Sequence, residues 1–356
     1  MQIYDLFLFY TTVGLSSVSA ERTGFEMSYK QQIRQDVQLR MRSNLYIYSD
    51  ERFIHVFLFL LVFILKQVDE NTKLTLLHMK RILVPTDFSD QAENALKVAA
   101  QIANKYGSEI YLLHMLELPM HTVDAVSTSS TDVIPEAVFF MKAAHERFED
   151  LISRDYLQGI NVIETVNSNY NKAYEGIIAG SKENNVDMII MGSDGSTGLE
   201  EFLVGSNTEK VVRNSNVPVL VIKHEHEVFR VDDFVYATAF EAEDLPALEK
   251  ASEFAKTIKS KLHLLFVNTA SQFKTTHEVE HMMENYLKKA KVENYTLNIY
   301  NDTSRENGIL NFSRTIDAGL IGISTHGRKG LSHFLNGSLS EDLVNHAQRP
   351  VITFKI

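Results

Sequence analysis

Most of this chain alternates between short unbroken apolar runs and longer segments whose apolar residues recur every three or four positions. The runs are Arg81–Pro85, Glu109–His114, Asn161–Val166, Val186–Met191 and Val217–Ile222, followed by Phe234–Thr238, Lys261–Val267, Tyr295–Tyr300, Leu320–Ser324 and Pro350–Phe354. Runs of this length predict strands buried on both faces. Between the first two, Ala92, Ala95, Leu96, Ala99, Ile102, Ala103 and Tyr106 fall at helical spacing. Asp90 and Glu93 supply a start resembling a capping box, and Gly107 a natural stop. Continuously apolar strands separated by helices imply a parallel sheet covered on both sides, and right-handed crossovers make it a doubly wound α/β domain.

The pattern occurs twice. Ile189-Ile190-Met191-Gly192-Ser193-Asp194-Gly195 recurs as Ile321-Gly322-Ile323-Ser324-Thr325-His326-Gly327, Gly205-Ser206 as Gly337-Ser338, and Val217-Pro218-Val219 as Arg349-Pro350-Val351. One offset of about 132 positions relates all three pairs, which argues for duplication. Near the repeat starts Leu113 matches Leu265 at about 152 positions, so the first copy carries about 20 extra residues, including the Ser/Thr-rich loop Ser127–Thr131. The expected domains are 79–223 and 231–356, each with a five-stranded parallel sheet, joined by the linker His224–Arg230.

Residues 1–78 read differently. They hold apolar stretches at Leu6–Tyr10 and Phe53–Leu65, the second too short for the roughly 20 residues that cross a bilayer as a helix. Val18-Ser19-Ala20 resembles a signal cleavage site, but the preceding segment carries Asp5 and no Lys or Arg. The preferred expectation is that Met79 is the natural start, with membrane association through residues 53–65 as the alternative.

A net charge of -11 opposes nucleic acid as a partner, since no basic stripe offsets it. The absence of cysteine excludes disulfides, thiolate zinc sites and a cysteine nucleophile, and suits a reducing, cytoplasmic setting.

In doubly wound sheets ligands collect beyond the carboxyl ends of the strands where the strand order reverses. Thr86-Asp87 follows the first strand. Gly192-Ser193-Asp194-Gly195 follows the fourth, then nine residues, then Gly205-Ser206. Glycines permit close approach to phosphate oxygens and positive φ. Ser206 is placed to cap a helix over Asn207–Asn214, whose free N–H groups favour an anion. With Asp87 able to accept from a base amine or ribose hydroxyl across the crevice, the arrangement describes a nucleotide.

This Gly, two residues, Gly, nine residues, Gly-Ser spacing, with Val84-Pro85-Thr86-Asp87-Phe88-Ser89 at the opening strand, resembles the universal stress protein family in its ATP-binding form. The resemblance spans Met79–Ile356 in two copies. It implies a Rossmann-like fold of the adenine nucleotide alpha hydrolase type, and ATP or a related adenine nucleotide, with magnesium as an optional companion. By it Gly192, Ser193, Gly195, Gly205, Ser206, Asn207 and Thr208 hold ribose and phosphates, and Pro85, Thr86 and Asp87 the adenine side. It also implies pairing of the last strands into an intramolecular pseudo-dimer, with further homo-oligomers open.

The second copy departs from this pattern, with Ala239 at the aspartate position and Ser324 at the first glycine, so weak or absent binding is expected there. Neither the P-loop nor the dinucleotide fingerprint is present. His277-Glu278-Val279-Glu280-His281 fits a zinc-protease pattern, but lacks an evident third ligand and falls on an expected surface helix. His224-Glu225-His226 reads as exposed linker. The leading expectation is a stress-response module that binds adenine nucleotide, with at most slow ATP hydrolysis because no base or nucleophile can be named. The alternative is an interaction scaffold that binds no nucleotide.

Overall fold

The computed structural model describes residues 79–168, 170, 172–193, 205–325, 343–344 and 346–356, apart from 117–132 and the side chains of 133–137. All belong to the compact unit Thr75–Ile356. The expectations for residues 1–78, the Ser127–Thr131 loop and Gly195 lie outside the described residues.

In chain order the elements of the first half are β1 (Arg81–Thr86), α1 (Asp90–Tyr106), β2 (Glu109–Met115), α2 (Val133–Ile152), β3 (Val162–Asn167), α3 (Ala173–Glu183), β4 (Met188–Gly192), α4 (Ser206–Asn214) and β5 (Val219–Ile222). The second half follows with β6 (Asp233–Ala237), α5 (Leu245–Ile258), β7 (Lys261–Thr269), α6 (Thr276–Leu287), β8 (Tyr295–Asp302), α7 (Arg305–Thr315), β9 (Leu320–Thr325) and β10 (Val351–Lys355). Strand ends differ from the apolar runs by one or two residues, because pairing rather than hydrophobicity decides where a strand stops.

α1 shows how local sequence builds an element. Its apolar positions Ala92, Ala95, Leu96, Ala99, Ile102 and Ala103 are all buried. The cap is Ser89, whose side chain accepts from the Ala92 amide; Asp90 is instead the first helical residue, which corrects the capping box expected there. Gly107 ends the helix in the left-handed conformation at φ 71°, its N–H donating to the Ala103 carbonyl.

All ten strands form one sheet in the order β3-β2-β1-β4-β5-β10-β9-β6-β7-β8. Each half is a doubly wound unit, and within a half every pairing is parallel. The halves meet at β5 and β10, which run antiparallel with Val351 opposite Val221, Ile352 opposite Leu220 and Thr353 opposite Val219. Helices cover both faces, and each core layer runs through both halves. One includes Val84, Leu96, Phe148, Phe234 and Phe254. The other includes Leu83, Ile189, Val211, Ile321 and Val344. At about 1.5–3 kcal/mol for each fully buried aliphatic side chain, the seam residues Leu220, Val221, Val351 and Ile352 weld the halves into one hydrophobic body.

The linker is not free. Gln101 on α1 donates from Nε2 to the His226 carbonyl at 3.0 Å and accepts at Oε1 from the Phe229 amide at 2.6 Å. Lys97 pairs with Glu225 beside it. Burial, then the charge of His224, lowers the pKa of His226 below its ordinary value. The stretch read as exposed linker is therefore strapped along a helix, with His226 and Phe229 half-buried.

Candidate functional site

The central strands of the first half stop pairing before their carboxyl ends. β1 pairs with β2 from Arg81 to Thr86, but its pairing with β4 covers only Ile82 opposite Met188 and Leu83 opposite Ile189. Pro85 has no N–H to extend that ladder, so the direct pairing of the two strands ends at Leu83. On one side lies the turn after β1. Phe88 adopts φ 64° there, its amide donating to Thr86 Oγ1 at 2.9 Å. Asp87 is exposed, and its Oδ1 accepts from the Ser89 amide at 3.0 Å and the Ser89 hydroxyl at 2.5 Å. Its Oδ2 makes no hydrogen bond among the described residues and is the atom available to a ligand.

On the other side lie Gly192 and Ser193, then Gly205 and α4. A Cβ on Gly192 would stand 2.7 Å from the backbone oxygen of Gln91, so this glycine exists to let the first turn of α1 seat against the end of β4. Its φ is not positive, so the freedom expected of it is used for close approach to the chain itself. The Ser193 amide donates to the Ile222 carbonyl at 3.0 Å and the Gly205 amide to the Ser193 carbonyl at 2.6 Å. Both amides are thus engaged within the protein. Thr208 is buried and donates from Oγ1 to the Gly192 carbonyl at 2.9 Å.

α4 begins at Ser206, one residue earlier than expected, and its cap is Gly205, with no side chain accepting from its first amides. Ser206 therefore stands in the first turn with Asn207, both exposed. The amides of this turn, together with the helix dipole, give the start of α4 a partial positive character. A separate cavity of about 560 Å³ adjoins the β1 turn on the α2 side, lined by Thr86, Phe88, Ser89, Glu93, Arg147 and Leu151 among others. Among the described residues, none of Gly192, Ser193 and Gly205–Thr208 lines it.

A family model described as the universal stress protein family matches residues 78–223 and again 231–355. The chain belongs to the universal stress protein family. The two matches fall on the two five-stranded halves. Among relatives, the chain is 31% identical over 163 residues to universal stress protein MJ0577 of Methanocaldococcus jannaschii, covering 41% of this chain and 96% of that one. It is 23% identical over 294 residues to universal stress protein Slr1230 of Synechocystis, covering 78% of this chain and all of that one. The crystal structure of a universal stress protein from Archaeoglobus fulgidus superposes at a TM-score of 0.61 with 24% identity, over 78% of this chain and 98% of that one. That last likeness concerns the fold, including its tandem length.

Other constellations resolve differently. Glu278 accepts from the Thr275 amide and hydroxyl, both at 2.8 Å, closing the capping box that starts α6, and these hydrogen bonds hold its carboxyl below the ordinary range. The zinc-like spacing thus belongs to a helix start, and no cluster among the described residues could hold a metal ion. A relay that spacing did not reveal crosses β6, β7 and β8: His263 Nε2 lies 2.8 Å from Asp233 and its Nδ1 2.9 Å from Thr296. Asn298 also donates to Thr296 Oγ1 at 3.1 Å, so the hydroxyl is held inside a closed hydrogen-bond chain at the sheet edge. No helix among the described residues is long and apolar enough to cross a membrane.

Proposed function

We propose that the first half binds ATP or a related adenine nucleotide in the crevice between β1 and β4, and that this universal stress protein is a nucleotide-responsive stress module, not a catalyst. The observation that carries the reading is the early end of the β1–β4 ladder at Leu83 and Ile189. On this reading a ligand lies between the start of α4, whose first amides no side chain caps, and Asp87, whose Oδ2 makes no hydrogen bond among the described residues. Phosphates fit at the helix start, where Ser206, Asn207 and Thr208 supply amides and Ser206 an exposed hydroxyl. The base or ribose fits against Pro85, Thr86 and Asp87. Gly192 and Ser193 act from behind, Gly192 by admitting α1 and Ser193 by anchoring Gly205. Gly195 completes the family spacing. Magnesium would arrive with the phosphates. The second half serves by pairing β10 with β5 into an intramolecular pseudo-dimer.

Equilibrium dialysis of the full chain against labelled ATP tests this. Retention that is lost in Asp87→Ala and in Gly205→Val supports it, and no retention by the unmodified chain refutes it. A scaffold that binds no nucleotide is the second reading, favoured by the internal engagement of the Ser193 and Gly205 amides.

A further inference from the structure

The second half repeats the strand order of the first but not its opening. β6 pairs with β9 at the two positions corresponding to the first half and continues through Tyr236 opposite Gly322 and Ala237 opposite Ile323. Ala237 stands where Pro85 stands, and it carries the N–H that proline lacks. The two central strands therefore stay zipped where β1 and β4 part.

Behind this longer ladder lies a carboxylate. Asp244, 3% exposed, immediately precedes α5. Thr238 donates to its Oδ2 at 3.2 Å and Ser324 to its Oδ1 at 3.0 Å. Ser324 occupies the position of Gly192, and Asp244 the position of Ala92, so two residues far apart in sequence change together and meet. A short 3-10 turn, Ala242–Asp244, delays the start of α5 and makes room for them. Tyr236 and Tyr286 lie buried close enough to Asp244 to feel its charge. Burial first, then the Asp244 charge, pushes both phenols well above their ordinary pKa. A buried carboxylate is costly unless donors and a helix start compensate it, and here both are present.

We infer that the space between the ends of β6 and β9 is sealed from within by Asp244, held there by Thr238 and Ser324, so that this chain holds one nucleotide and not two. Only the nucleotide count rests on the reading proposed above; the seal does not. The chain has no cysteine, so Ser324→Cys introduces a single thiol at the floor of the sealed space.

The expected result is a native thiol that reacts with a disulfide reagent about 100-fold more slowly than in the denatured chain, as buried groups that need local opening do. Adding Asp244→Ala is expected to raise the native rate at least about tenfold. Should that double variant fold poorly by circular dichroism, Asp244→Ser takes its place. A native thiol reacting at the denatured rate overturns the seal, as does a folded double variant with no acceleration. In dialysis, at most one labelled ATP per unmodified chain is expected, and two overturn the inference. None at all refutes the nucleotide reading, while the thiol rates still decide the seal.

Discussion

Thr208 Oγ1 donates to the carbonyl of Gly192 at 2.9 Å, tying the first turn of α4 to the end of β4. The bond holds the first turn of the helix against the strand end, and it satisfies a carbonyl there. Thr208→Val keeps the shape and removes the donor. A loss of about 1–2 kcal/mol in stability is expected from an unsatisfied buried carbonyl, read by urea unfolding, together with weaker ATP retention in dialysis.

Gly192→Ala brings a methyl group to 2.7 Å from the Gln91 backbone oxygen, and a helix backbone cannot step aside as a flexible side chain would. An overpacking cost of about 1–3 kcal/mol is expected. Thermal unfolding measures it, and an unchanged midpoint would show that α1 shifts freely.

Pro85→Ala supplies the N–H that the second half has at Ala237. The ladder between β1 and β4 should lengthen and narrow the crevice. ATP affinity is expected to fall while stability holds or rises, and hydrogen exchange at the new residue 85 amide should be slow. A fast-exchanging amide with unchanged affinity would separate the proline from the opening.

The linker strap should depend on pH. The folded pKa of His226 lies below its ordinary value of 6.5 because burial, then His224, disfavours the charged form. The unfolded chain then binds more protons than the folded one below about pH 6.5. Stability from this site is full above that value and is lost as pH falls through and below it. The effect is small because His226 is only half-buried. Urea unfolding of the unmodified chain should weaken between pH 7 and 5 more than that of His226→Gln.

Gln101→Ala removes two hydrogen bonds to the linker backbone. Limited proteolysis within 224–230 should accelerate, with little change in the global unfolding midpoint. An unchanged cleavage rate would mean that Lys97–Glu225 and the Phe229 contacts hold the strap alone.

Much of the architecture was legible along the chain because it is written in local periodicity. The apolar spacing of α1 names its buried face, Gly107 its end, and the doubled landmarks from Gly192 to Val219 the duplication. Errors arose where a tertiary partner chooses among local options. Ser89 outcompetes Asp90 as cap because the turn after Thr86 places its hydroxyl beneath the Ala92 amide. Gly205 rather than Ser206 stands at the cap of α4, where its amide donates to the Ser193 carbonyl. The polarity of His224–Arg230 could not show the Gln101 side chain gripping it from more than a hundred residues away.

Residue order alone determined two doubly wound α/β units, their glycine-rich segments and the family to which they belong, since each follows from patterns only a few residues long. The tertiary structure decided that β1 and β4 stop pairing at Leu83 and Ile189 while β6 and β9 continue to Ala237 and Ile323, and that Ser324 meets Asp244 across the fold. Such contacts join residues far apart in the chain, and no local pattern encodes their meeting.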